Sequence, residues 1–191
     1  MKKWFGYGGI AASVILVAFG AGTIVVGVNG YNDVRDEIAA QKITTTDDAS
    51  ELTDRRLQPG QAIKTDADAR AFADVMEHHV LESTKGKHYA EMGRFVTPSG
   101  KDTSDEALAA KTPEGRPVEN GLRNLWVTET ALTTALNTAY FAERVALFSI
   151  VMGIALLLTG IGFLVLTVGG ALGYVAVPRL SKKLHATSAA A

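Results

Sequence analysis

The chain has 191 residues, 47% hydrophobic and 20% charged, with a formal net charge of -1. That balance leaves no surplus of cations to neutralise a phosphate backbone, so nucleic acid is not an expected partner. The absence of cysteine excludes disulfides, thiolate catalysis, iron–sulfur clusters and Cys-ligated zinc.

Almost all of the charge lies between Asn29 and Arg144, which leaves a long uncharged block toward each end. From Phe5 to Val28 no residue is charged. About 24 residues at ~1.5 Å rise reach roughly 36 Å, enough for a ~30 Å hydrocarbon core. Lys2, Lys3 and the Ala18-Phe19-Gly20 step also fit a cleaved signal peptide. The apolar run continues through Thr23-Ile24-Val25-Val26, however, beyond the ~7–15 residues of a signal core. Residues 1–28 are therefore read as a cytoplasmic N-terminus and transmembrane helix 1.

The polar segment 29–143 follows. Tyr31 to Lys42 lacks Gly and Pro and spaces Val34, Ile38 and Ala39 helically, so the first helix is expected to continue for about three turns beyond the span. Ile43-Thr44-Thr45-Thr46 suits a short strand, while Asp47-Asp48-Ala49-Ser50 and Gln58-Pro59-Gly60-Gln61 read as turns. Thr65-Asp66-Ala67-Asp68 carries a capping oxygen and first-turn acids, which predicts a helix running to about Ser83. Its buried face would carry Ala69, Phe72, Ala73, Met76, His79 and Val80, and its opposite face Asp74, His78 and Glu82. Lys85-Gly86-Lys87 ends it, and His88 to Met92 reads as an extended stretch leading to Phe95-Val96.

Thr97 to Pro117, rich in Pro, Gly, Ser, Asp and Lys, predicts a mobile loop with one helical turn around Asp105 to Ala110. Beyond Asn120, Leu122, Leu125, Trp126, Leu132, Leu136 and Tyr140 keep helical spacing up to Arg144. The second uncharged block, Val145 to Val177, closes on Pro178 and on Arg179, Lys182 and Lys183. At about 33 residues it reaches roughly 50 Å, more than a bilayer needs. Residues 144–178 are assigned to transmembrane helix 2 and 179–191 to a basic cytoplasmic tail.

Cytoplasmic flanks are enriched in Lys and Arg, so both termini are expected in the cytoplasm of a plasma-membrane protein and the segment 29–143 outside it. The fold class is an all-α membrane protein, two transmembrane helices joined by a mainly helical, loop-rich extracytoplasmic segment. Small residues at four-residue spacing let backbones approach in lipid. The expected helix-packing interface comprises Gly8, Ala12, Ala18 and Gly22 in the first span and Ser149, Gly153, Gly169 and Gly173 in the second, with Gly9 and Ser13 a further pair.

No charged residue or His interrupts either span, so neither a proton relay nor a haem ligand is expected there. Asp74, His78 and Glu82 are the one grouping that suggests a divalent metal, but a solvated helix face carries polar residues at the same spacing. His79 is read as a core histidine, and Trp126 and Tyr140 as packing aromatics. No catalytic, cofactor-binding or metal residue is assigned, and no cofactor.

Ile43-Thr44-Thr45-Thr46-Asp47-Asp48-Ala49, the helix ending at His79 to Ser83, and Gly86-Lys87-His88-Tyr89-Ala90-Glu91-Met92, set between two spans, resemble a family of small actinobacterial two-pass membrane proteins. Members often carry the label aromatic ring-opening dioxygenase, alpha subunit. That chemistry needs two His and a carboxylate on iron, and only His78, His79 and His88 lie in the outer segment, His185 falling in the tail. The architecture also looks like the accessory subunits around the actinobacterial cytochrome bcc–aa3 respiratory supercomplex. The resemblance implies a non-catalytic subunit whose partners are other integral membrane subunits and the lipid bilayer. The competing expectations are a stand-alone anchored module that binds a ligand or protein outside the cell and, third, an outer-face metalloenzyme.

Overall fold

A computed structural model describes residues 2–53 and 57–169. The Arg179, Lys182 and Lys183 tail, Gly173 and His185 lie outside the described residues. The chain is mostly helical: α1 spans Lys2–Ala40, α2 Ala49–Leu52, α3 Asp66–Ser83 and α4 Gly121–Val168, with two short strands, β1 Phe95–Val96 and β2 Asp102–Thr103. α1 and α4 contain stretches long and apolar enough to cross a membrane. α4 is one uninterrupted helix, so the amphipathic stretch after Asn120 runs straight into the second apolar block.

Two compact units are present. One contains the described residues 2–29 and 146–169, the other Gly30–Val145. In the first, large apolar side chains such as Val14, Ile15, Phe19, Val26, Phe148 and Val165 stand exposed. Water does not tolerate so broad an apolar surface on a soluble domain, but lipid does.

The second unit has a core of its own. Phe72, Val75 and Ala69 of α3 pack with Ile38 of α1, Ala49 of α2, Leu57, Ile63 and Leu136 of α4. α3 begins where its capping chemistry says it should. Thr65 Oγ1 accepts from the Asp68 N–H at 3.1 Å, and Asp68 Oδ2 accepts from the Thr65 N–H at 3.1 Å, which satisfies two otherwise orphaned amides. Thr44 pairs with Ala62 as an isolated antiparallel bridge rather than as part of a strand, and the expected turn at Asp47–Ser50 passes into the single-turn α2. Gly60, at φ 70°, closes the turn of Gln58–Gln61.

The segment from Thr97 to Pro117 is not the mobile loop its composition predicts. β1 and β2 pair antiparallel, Phe95 opposite Thr103. The Val96 N–H donates to Val118 O at 3.0 Å, Ala110 N–H to Val96 O at 2.8 Å and Val118 N–H to Ala110 O at 2.8 Å. Backbone groups that composition leaves unassigned thus satisfy one another, with Gly100 and Gly115 at positive φ making the reversals. The helical turn around Asp105 is a 3-10 turn over Glu106–Leu108. His88 to Met92 is likewise not extended but contains a 3-10 turn, Tyr89–Glu91, because Glu91 Oε2 accepts from the His88 N–H at 2.8 Å.

Candidate functional site

In the unit of 2–29 and 146–169, α1 and α4 pack antiparallel through small residues. A Cβ placed on Gly20 would lie 2.6 Å from Leu157 N and 2.7 Å from Gly153 O, and one on Gly27 2.9 Å from Ala146 O. On Gly160 it would lie 2.9 Å from Val17 N, and on Gly9 2.7 Å from Thr167 Oγ1. The two backbones therefore touch, a distance only glycine permits. Ser13, fully buried, hides its hydroxyl by donating to Gly9 O at 2.7 Å.

The contact residues recur every seventh position: Ser13, Gly20 and Gly27 on α1, and Ala146, Gly153, Gly160 and Thr167 on α4. A seven-residue repeat keeps one face turned toward a partner when two helices coil left-handedly about each other. Of the four-residue pairs on α1, only Gly9 and Ser13 lie on that face. Gly153 belongs to the contact, and Ser149 is half-buried one turn from it. Gly8 and Gly22 have nothing within 4 Å of a would-be Cβ, and Ala12 and Ala18 are exposed. These four form no part of the contact with α4. Gly169 is exposed just past the end of α4, where its N–H donates to Val165 O at 2.7 Å. The signal that finds the seam in the sequence is the heptad of Gly, Ser and Ala.

The Gly30–Val145 unit is organised by buried charge. Glu143 is fully buried, and both carboxylate oxygens are used: Oε1 accepts from Arg35 Nε at 2.9 Å and Oε2 from the Asp66 N–H at 2.8 Å. Arg144 Nε stands 2.7 Å from Asp66 Oδ2, an ion-pair contact without the alignment of a hydrogen bond. Arg35 also lies over the Tyr31 ring at 4.3 Å. Its hydrogen bond to Glu143 is the main reason its guanidinium is held above the ordinary range. The arrangement joins α1, the start of α3 and α4. A buried carboxylate that lost its partner would carry a heavy desolvation cost, so the network fixes how those helices meet. The pairing itself is not legible in the sequence, because Arg35 and Glu143 are 108 positions apart.

Further along α3 and α4, Arg70 donates to Asn137 Oδ1 at 2.7 Å and pairs with Asp74 at 3.5 Å. Trp126 is buried and donates from Nε1 to Lys87 O at 2.8 Å, with the His88 ring 5.3 Å away. Tyr140 lies 5.2 Å beneath the Arg144 guanidinium. Gly93 donates to Asp102 Oδ2 at 2.8 Å, and that bond, with Lys87 beside it, lowers the Asp102 pKa.

His79 is not a core histidine. Its Nε2 lies 2.8 Å from Asp48 Oδ2 at a half-exposed position, because the α2 turn brings Asp48 across to α3. His78 and Glu82 are exposed, while Asp74 is engaged with Arg70. Among the described residues no three His, Asp or Glu side chains converge in a way that would hold a metal ion. Comparison with known proteins returns no matching family model, no matching curated protein and no matching solved structure.

Proposed function

We propose that this chain is a non-catalytic accessory or structural subunit of a larger integral-membrane complex. On this reading α1 and α4 each cross the plasma membrane once, and both termini are cytoplasmic beside Lys2, Lys3, Arg179, Lys182 and Lys183. The unit Gly30–Val145 then faces the extracytoplasmic side. The observation that carries the reading is the division of labour on the apolar helices. Gly9, Ser13, Gly20, Gly27, Gly153 and Gly160 are spent on the contact between the two helices, and many large apolar side chains face outward, where lipid or further helices are the available neighbours.

The paired charges of the other unit support the same reading, since the buried Glu143 and Asp66 bind Arg35 and Arg144 and hold helices in place. The assembly to which the sequence resemblance points is the actinobacterial bcc–aa3 respiratory supercomplex, with other membrane subunits and lipid as partners and no cofactor of its own. Mild detergent extraction followed by native sizing tests this: the chain is expected to migrate with a large assembly. A cleft of about 470 Å³ lined by Thr84, Lys85, Lys87, Met92 and Asn120 favours the runner-up, a stand-alone module that binds a ligand outside the cell. Migration of the whole population as a lone chain would favour that alternative.

A further inference from the structure

Within the Gly30–Val145 unit, α1 and α4 leave a groove of about 630 Å³ on one side. Its floor is Ile38 and Leu136, both buried, and its α4 wall is Leu132, Ala135, Ala139 and Ala142. Residues 131–142 of α4 contain no charge over about three turns, although Leu132 is 43% exposed. A helix face meant for water does not run so far without a charge. The spacing Leu132, Ala135, Ala139, Ala142 is the alternating three-and-four pattern of a helix seam, and its three alanines allow a neighbouring backbone to come close.

The groove has a sign. Among the described residues its only charged lining side chains are Asp33 and Glu37, both exposed on the α1 rim and without an ion-pair partner there. The one nearby cation on that helix, Arg35, is held by Glu143 and Tyr31. We infer that this groove is the docking site for an amphipathic helix of another membrane subunit. That helix lays an apolar stripe of about three turns against α4 and turns Lys or Arg toward Asp33 and Glu37. A second copy of this chain is disfavoured, since a two-fold contact sets the groove against itself and its lining, among the described residues, offers no cation to meet the two acids.

The inference rests on the subunit reading, and its test separates the two. In native membranes, D33K/E37K is compared with wild type by mild detergent extraction and native sizing. A139L, which fills the groove and keeps the acids, provides the second variant, and E114K, an exposed charge elsewhere, the control. Wild type and E114K are expected in the large assembly, with D33K/E37K and A139L at least ten-fold depleted from it while remaining membrane-inserted. A photo-crosslinking residue at position 132 should then join a Lys- or Arg-bearing helical peptide of a co-migrating subunit. If wild type migrates alone, the subunit reading fails. If wild type and both groove variants assemble equally, or position 132 crosslinks to lipid or to a second copy, the subunit reading stands and the groove inference is overturned.

Discussion

Glu129 shows how a single buried side chain sets a pH response. It is 5% exposed on α4, and Thr130 Oγ1 lies a long 3.4 Å from its Oε2. Burial pushes its carboxyl above the ordinary range; Thr133 opposes that shift and Glu77 adds to it. A raised acid pKa means that the folded state holds the proton more tightly than the unfolded state. Stability is then greatest below the unfolded pKa and falls as pH rises through the folded one. Glu129→Gln keeps the shape and removes the charge. Thermal unfolding of the detergent-solubilised protein should show it more stable than wild type at about pH 7.5 and indistinguishable at about pH 4. An equal difference at both pH values would remove ionisation as the cause. Nothing in the local sequence Thr128-Glu129-Thr130 marks this residue as buried. His79 was misjudged for the opposite reason. Helical periodicity put it on the buried face, and only the α2 turn that carries Asp48 explains its ion pair.

At the scale of elements, local chemistry and long-range packing contribute unequally. α3 was legible from Thr65 to Ser83 because capping acts within four residues and apolar periodicity within a few turns. The helix seam was legible only in part: of the i,i+4 pairs on α1, Gly9 and Ser13 lie on the face that meets α4, while Gly8 with Ala12 and Ala18 with Gly22 miss it. The contrast gives a sharp test. Gly20→Ala places a methyl group against the Leu157 backbone, which cannot yield as a side-chain tip can, whereas Gly22→Ala enters open space. Overpacking of this kind costs on the order of 1–3 kcal/mol. Gly20→Ala should therefore lower the thermal midpoint in detergent by several degrees and Gly22→Ala should leave it unchanged or slightly raised. Equal effects of the two would mean that the helices do not touch along this seam.

For the whole molecule, the proposed topology predicts which positions water-soluble reagents reach. The native chain has no cysteine, so single cysteines report without background. A cysteine at Ser99 or Thr53 should react with an impermeant thiol reagent in intact cells, and one at Ser181 should react only after permeabilisation. The reverse pattern would invert the chain in the membrane and move the Asp33 and Glu37 groove to the cytoplasmic side.

What the sequence determined by itself rests on properties that need no partner: two uncharged blocks long enough to cross a bilayer, the helix start at Thr65, and glycine turns such as Gly60. Each follows from hydrophobicity or hydrogen bonding within a few residues. The tertiary structure decided the rest. It joined Arg35 to Glu143 and Asp48 to His79, selected Gly20, Gly27, Gly153 and Gly160 as the faces in contact, and tied residues 97–117 into paired backbone rather than loose chain. In every such case the partner lies on another element, and a carboxylate or a glycine looks the same in the sequence whether or not the fold brings anything against it.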